Sequence, residues 1–215
     1  ATTSLPYGGV LTEKEVQGVA GEQMSVYDKK GDYHYDIASA FIKSMRGSDP
    51  QAALHYLARM IAGGEKTSFI SRRIIICAAE DVGLADPAAL RVAVSAAQAA
   101  EMVGFPEAQI ILAEAVLYIS LAPKSNSTVV GISAAMTDIA KKSNWSIPRH
   151  LKDAHYNGAN RLGYGITYKY PHEYGGWVKQ QYLPDELCSA VYYRPVLNGA
   201  EAEIVKRWNK RMNKE

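Results

Sequence analysis

The sequence predicts an all-α fold: a helical bundle or stacked helical hairpins, followed by an irregular C-terminal wrap rich in tyrosine and glycine. From Leu11 to about Ser143, apolar residues recur at spacings of three and four, as on one face of a helix. Asp-Pro pairs or hydroxyl residues begin these stretches, and glycine or proline ends them. The connections are short, so successive helices are expected to be antiparallel neighbours. This pattern favours a bundle over an α/β sheet.

The composition indicates a globular protein with a core of its own. The chain has 215 residues and is 47% hydrophobic, which is enough for a core without a metal or a disulfide. Its 24 basic and 22 acidic residues lack the overall basic field of a dedicated nucleic-acid binder. Cys77 and Cys188 stand in no metal-binding spacing, and no apolar stretch reaches the roughly 20 residues that a bilayer requires. We therefore expect a reduced, cytosolic protein that does not enter a membrane.

The first predicted helices are defined by their caps. Thr12 and Glu15 form a capping box that begins a helix reaching about Tyr27. After a turn at residues 28–32, the next helix ends at Gly47 and buries Ile37, Phe41 and Met45. Asp49 and Pro50 then begin a helix that ends at Gly63-Gly64. Its expected buried residues are Leu54, Leu57, Ala58 and Ile61.

Four more helical stretches complete the predicted array. The first runs from about Ser68 to Val82, and the second, rich in alanine, follows Asp86-Pro87 from Ala88 to Val103. A third precedes Pro123, and a fourth begins after a cap at Ser125 or Asn126. Each of these helices has residues that are expected to face the core. In chain order they are Phe69, Ile70, Ile74, Cys77 and Ala78 in the first; the alanines in the second; Ile110, Ile111, Ala115 and Ile119 in the third; and Val129, Ile132, Ala135 and Ile139 in the fourth.

The periodicity stops after about Trp145. Eight of the 14 tyrosines lie between Tyr156 and Tyr193, and aromatic residues are scarce in disordered chains. We expect this segment to wrap over the helices, with a short hairpin around Tyr168 to Tyr182. A last helix, from about Glu201, ends in a basic stretch.

The sequence contains no convincing catalytic centre. Residues 63–67 read Gly-Gly-Glu-Lys-Thr, but a phosphate-binding loop needs glycine directly before the lysine, where Glu65 stands. We interpret them as a helix end. The histidines show no HxxxH spacing, and most adjoin a tyrosine, so packing is expected for His34, His55, His150, His155 and His172. No Ser/His/Asp arrangement supports a nucleophile.

Two groups of charged residues have open interpretations. Glu80 and Asp81 near a helix C-terminus are expected to form an ion pair, with Arg72, Arg73 or another helix, rather than to act as acid or base. Basic residues interleaved with tyrosines and Trp177 can contact a nucleic acid, but a solvated rim around buried aromatics is favoured. The possible DNA-backbone contacts are Lys124, Arg149, Lys169 and, in the terminal helix, Lys206, Arg207 and Lys210.

Eight motifs in order carry a resemblance to a known family. They are Tyr27–Asp32, His34–Asp36, Ser44–Pro50, Ala79–Gly83, Ala85–Pro87, Leu121–Asn126, Tyr168–His172 and Gln180–Pro184. Together they resemble the C-terminal part of the replication-associated recombination protein A family, bacterial AAA+ ATPases also called MgsA and related to the Werner-helicase-interacting protein. The likeness covers about Leu11 to Tyr193.

The resemblance implies a division of the chain. Residues 1–27 are the end of the ATPase lid region, residues 28–195 a helical oligomerisation domain like the clamp-loader collar, with the irregular wrap from about 146, and residues 196–215 a basic helix. Family members carry the Walker motifs upstream, and this sequence has neither, so it looks like a non-enzymatic fragment without cofactor, metal or catalytic residues; ATP and Mg belong to the missing core.

The resemblance also implies partners. The family assembles as a homotetramer and acts on DNA at stalled replication forks, so we expect self-association, DNA contact through the whole protein, and a cytoplasmic, nucleoid-associated location in bacteria. Single-strand-binding protein and replication proteins are further possible partners. Interface anchors are expected among the aromatic residues of the wrap: Tyr168, Tyr170, Trp177 and Tyr182.

Overall fold

The computed structural model describes residues 32–142, 144–153 and 164–212. The described chain falls into two compact units, of which the first ends at Ser125 and the second begins at Asn126. The boundaries predicted after residues 27 and 195 stay predictions, and the first of them lies outside the described residues. The predicted helix from Leu11 to Tyr27 lies outside the described residues.

The described residues contain seven α-helices and no strand, which confirms the all-α prediction. Five helices belong to the first unit: α1 Asp32–Arg46, α2 Pro50–Ala62, α3 Thr67–Cys77, α4 Ala88–Val103 and α5 Ala108–Leu121. Two belong to the second unit: α6 Ser127–Lys141 and α7 Ala200–Met212. None of them is long and apolar enough to cross a membrane.

Caps predicted from the sequence define the starts of two helices in the first unit, α2 and α4. Asp49 Oδ1 accepts hydrogen bonds from the backbone amides of Gln51 (3.0 Å) and Ala52 (2.9 Å), which the first turn of α2 leaves unpaired. Asp86 Oδ1 accepts from the amide of Ala88 (3.0 Å) at the start of α4. Its other carboxylate oxygen accepts from the Tyr118 hydroxyl on α5 (2.8 Å), so this cap also links two helices.

The first unit encloses a single apolar core. Helix α5 packs against α4 and α2, and α3 packs against α4. The largest buried side chains come from all of the helices except the alanine-rich α4: Phe41, Met45, Met60, Ile70, Ile74, Leu112, Val116 and Ile119. Helix α4 contributes Ala89, Ala93, Ala96 and Ala100, small residues that let a neighbouring helix approach closely.

In two helices, the side that faces the core differs from the predicted one. In α2, Ala53, Leu57 and Met60 are buried, whereas Ala58 is exposed. In α5, Leu112 faces the core and Ile110 is 68% exposed. Helix α5 is apolar around most of its circumference, so the sequence pattern alone could not tell which side faces inward.

Helix α3 does not continue to Val82 as predicted. It ends at Cys77 and passes into a π-helical turn, Ala78–Val82, followed by a 3₁₀ turn, Gly83–Ala85. Gly83 adopts a positive φ of 50°, a conformation that costs glycine little and other residues more. This widened turn places Glu80 and Asp81.

The second unit is organised around a buried carboxylate. Glu201, near the start of α7, accepts hydrogen bonds from the hydroxyls of Ser127 (2.6 Å) and Tyr193 (2.9 Å) and from the amide of Val196 (3.2 Å). Because Ser127 begins α6, these bonds join the N-terminal ends of both helices, where backbone amides favour a negative charge.

The predicted buried side of α6 is wrong for two of its residues. Ile132 and Ile139 are exposed. A neighbouring side of the helix meets the segment around Tyr192: the Tyr192 hydroxyl donates to Asp138 (3.1 Å), and a Cβ at Gly131 would approach the Tyr192 carbonyl oxygen to 3.1 Å. Asn126 occupies the cap position, but its side chain makes no cap hydrogen bond.

The predicted hairpin does not form strands over Tyr168 to Tyr182; instead, a short 3₁₀ helix spans Pro171–Tyr174. Two arms of the segment are joined by a side chain. The Gln180 amide donates to the Lys169 carbonyl (2.8 Å) and its oxygen accepts from the Lys169 amide (3.2 Å). The side-chain amide of Gln180 thus forms with the Lys169 backbone the two hydrogen bonds that paired β-strands form between their backbones.

Candidate functional site

Three sequence motifs meet in one polar cluster of the first unit. Arg46 at the end of α1 donates to Asp81 and, through Nη2, to Glu80 Oε1 (2.9 Å). The predicted ion pair of these acids is confirmed, but its partner comes from α1 rather than from Arg72 or Arg73. Asp81 is 7% exposed, so the guanidinium of Arg46 compensates the free-energy cost of burying its negative charge.

Lys124 closes the other side of the cluster. Its ammonium lies within hydrogen-bond distance of Ser48 Oγ (2.9 Å) and of three carbonyl oxygens at the end of α5, those of Ile119 (2.9 Å), Ser120 (3.0 Å) and Ala122 (2.6 Å). A cation at a helix C-terminus satisfies carbonyls that the last turn leaves open. Burial lowers the pKa of Lys124, although neighbouring Cys77 and Asp81 oppose this effect.

The cluster ties helix ends together and surrounds the buried thiol of Cys77. Burial raises the pKa of the Cys77 thiol, and the nearby Asp81 carboxylate raises it further. The thiol is therefore held in its unreactive, neutral form. The amide of Ser125 donates to the Asp81 carbonyl (2.8 Å), which ties the last residue of the first unit to the π-helical turn.

The described histidines serve packing and hydrogen bonding. His34 Nδ1 lies 2.8 Å from Glu65 Oε1, and its ring packs against Tyr35 and Phe69. His55 contacts Tyr56, and His172 contacts Tyr170. Within the described ranges, no three His, Cys, Asp or Glu side chains come together to hold a metal ion.

Several large apolar side chains of the first unit are exposed. Helices α4 and α5 and their connection expose large hydrophobic side chains, and we use the name hairpin face for this set of residues: Leu90, Val94, Met102, Val103, Phe105, Ile110 and Leu121. Met102 is 87% exposed and Leu121 71% exposed. The sequence predicted Ile110 in the core, and the remaining members of this face were not singled out, because exposure depends on helix rotation.

The aromatic residues predicted as interface anchors lie in the second unit. Tyr168, Tyr170 and Tyr182 are exposed, and Trp177 is half-buried. The Tyr182 hydroxyl accepts from Gln180 Nε2 (2.8 Å), beside the link between the two arms. No measured contact assigns these residues to an interface, so the anchors stay a prediction.

The residues predicted to contact DNA divide into two groups. Arg149, Lys169, Lys206, Arg207 and Lys210 are exposed. Lys124, in contrast, is engaged by the four acceptors in the first unit, and its contact with DNA stays a prediction.

Helix α7 combines three of the exposed cations, Lys206, Arg207 and Lys210, with Trp208, which is also exposed. Trp208 was not singled out in the sequence, although it directly follows Arg207 and lies two residues before Lys210.

Comparison with known proteins identifies the family. Residues 47–212 match the family described as MgsA AAA+ ATPase C terminal, and residues 2–46 match the AAA C-terminal domain. The chain is 54% identical over 182 residues to replication-associated recombination protein A of Bacillus subtilis, covering 84% of this chain and 43% of that protein.

Two less similar relatives also match most of the chain. The Escherichia coli K12 protein of the same name is 37% identical over 197 residues, covering 91% of this chain and 44% of that protein. The Dictyostelium discoideum ATPase WRNIP1 is 34% identical, covering 86% of this chain and 21% of that protein. The chain spans less than half the length of these relatives. It belongs to the family of MgsA AAA+ ATPase C-terminal regions.

Proposed function

We propose that this chain is the self-association module of a AAA+ ATPase that acts in DNA replication and recombination. In this proposal the module assembles a homotetramer, while ATP and Mg are bound by an ATPase core outside the 215 residues. DNA, single-strand-binding protein and other replication proteins are partners of the whole protein. The names of the relatives supply the setting, replication-associated recombination.

The hairpin face is the observation that carries the proposal. Met102, Ile110 and Leu121 together expose apolar surface that a soluble monomer usually hides. Full burial of one such side chain contributes roughly 1.5–3 kcal/mol. Burial of several of them between subunits therefore supplies a sizeable part of the free energy that holds the subunits together.

A collar of this kind needs no chemistry of its own. Holding several ATPase and DNA-binding heads together raises the effective concentration of each head for the next binding event. The polar cluster around Arg46 and Lys124 fits this role, because it fixes helix ends and leaves no accessible nucleophile. The module contributes geometry and avidity.

Light scattering on the 215-residue chain tests the proposal. We expect assemblies larger than a monomer at tens of micromolar, and we expect Ile110→Glu to reduce them by placing a charge in the hairpin face. Gln109→Glu is the matched control, since it adds the same charge at an exposed polar neighbour on α5. A wild-type chain that stays monomeric would refute self-association.

Helix α7 supports a second candidate, direct contact with a nucleic acid. Lys206, Arg207 and Lys210 can neutralise phosphates while Trp208 stacks on a base. Replacing the three cations by alanine should weaken binding to single-stranded DNA at low salt and flatten its salt dependence. Binding with an unchanged salt slope would remove α7 from the contact.

A further inference from the structure

A groove runs between α3 and α4 in the first unit. Its volume is about 630 Å³. Ile75 from α3 and Ala97 and Met102 from α4 provide apolar walls. A cleft of this kind between two helices suits an apolar side chain or the face of another helix.

The groove contains a hydrogen-bonding group without a partner. Ser71 lines it and is only 5% exposed, and its hydroxyl makes no hydrogen bond within the described structure. A buried polar group left unpaired costs free energy. A molecule that enters the groove with even a weak acceptor, such as a thioether sulfur, relieves that cost.

The charges on the two walls are opposite. Arg72 is exposed on the α3 wall and Glu101 is exposed on the α4 wall. Neither forms an ion pair with another described residue. Both charges are thus available to an incoming molecule.

The groove also carries its own projecting side chain. Met102 stands at the edge of the groove and is 87% exposed. Methionine is flexible and polarizable, so it fills irregular apolar spaces well. The surface therefore has a projection, a recess and one charge of each sign.

We propose that this groove is a two-fold docking surface for a second copy of the chain. Each Met102 enters the groove of the other copy, and each Arg72 faces Glu101 of the partner subunit. In a two-fold contact, a residue pair that meets once must meet again with the roles exchanged. This inference rests on the proposed self-association and names one surface that produces it.

The charge pattern favours a second copy over an unrelated partner. A different protein would need one acidic and one basic group placed to match Arg72 and Glu101. A second copy supplies both through the same two residues, without any further requirement. The apolar projection and recess are matched in the same way.

Charge exchange tests the pairing directly. Arg72→Glu alone and Glu101→Arg alone each place like charges together twice per pair of copies. We expect each variant to weaken self-association about tenfold, since two attractive exposed pairs become repulsive. An equimolar mixture should recover most of the loss, because each variant supplies the charge that the other lacks. The double variant should recover it by itself.

Met102 gives a second, independent measurement. Met102→Glu should weaken association, whereas Met136→Glu, an exposed methionine on α6, is the matched control. Circular dichroism checks that each variant keeps the wild-type helix content, as expected for exposed positions.

The outcomes separate this inference from the proposed function. A monomeric wild-type chain refutes both. A wild-type chain that assembles, but whose assembly ignores all of these changes or whose mixed variants fail to recover, overturns the groove pairing. In that case self-association through the rest of the hairpin face still stands. If the substitutions weaken only the docking of a different protein, the groove pairing is also overturned, because self-association of the chain is then unchanged.

Discussion

Replacement of Arg46 by methionine tests how the polar cluster stabilises the first unit. The guanidinium serves two carboxylates in different surroundings: the Asp81 side chain is 7% exposed, and that of Glu80 is 38% exposed. Methionine keeps much of the apolar stem and removes only the charge and the donors. The Asp81 carboxylate then stays buried without its cation, and its Oδ2 atom already lacks a partner among the described residues.

The expected cost follows from these exposures. Removing one partner of a buried ion pair costs about 3–5 kcal/mol. The Arg46 side chain is 46% exposed, so water replaces part of the lost interaction, and we expect roughly 2–3 kcal/mol in the free energy of unfolding. Glu80→Gln removes only the exposed pair and should cost about 0–1 kcal/mol.

Urea unfolding followed by far-ultraviolet circular dichroism measures both variants. With a urea dependence of about 2 kcal/mol per molar, Arg46→Met should lower the midpoint by roughly 1–1.5 M. Tryptophan fluorescence adds a separate signal, since Trp145, Trp177 and Trp208 all lie in the second unit.

Adding Asp81→Asn to Arg46→Met should recover part of the loss, because the uncompensated charge is removed. The reasoning is refuted if Arg46→Met costs no more than Glu80→Gln, since burial of Asp81 would then carry no energetic weight.

Two further changes test the caps and the second unit. Asp49→Ala removes the acceptor for two amides of α2 and should cost about 1 kcal/mol, measured as a lower thermal midpoint, with the exposed Gln51→Ala as control; an unchanged midpoint would contradict the cap. Burial and the hydrogen bond to Glu201 raise the pKa of Tyr193 to about 12, above the usual tyrosine value of 10.0. Its stabilising effect is therefore complete below pH 10 and is lost as the pH rises towards 12. Tyr193→Phe should remove this part of the alkaline loss of stability, and identical pH profiles for the two proteins would count against the buried bond.

Local signals in the sequence were sufficient for the limits of α2. Asp49, Pro50 and Gly63 begin and end α2 because capping and glycine termination depend on a few adjacent residues. The π-helical turn was not predictable in this way. Residues 68–82 form one continuous apolar pattern, and the turn widens only where Asp81 reaches Arg46 from another helix.

The candidate surfaces were harder to predict than the helices. Periodicity shows that α5 is apolar, but it does not distinguish Ile110 on the outside from Leu112 in the core, because both lie on apolar sides of the same helix. The four acceptors around Lys124 were not predictable from the sequence. One of them, Ser48, lies far away in the chain, and the others lie at the adjacent end of α5.

The sequence by itself determined the all-α class, the existence and approximate positions of the five described helices in the first unit and the family, since these depend on local spacing and on ordered motifs. Tertiary structure alone decided which side of each helix faces solvent, which cation holds Glu80 and Asp81, and which groove stays open between α3 and α4. These features depend on how helices rotate and approach one another. That rotation follows from the packing of the whole core and is not encoded in any single segment.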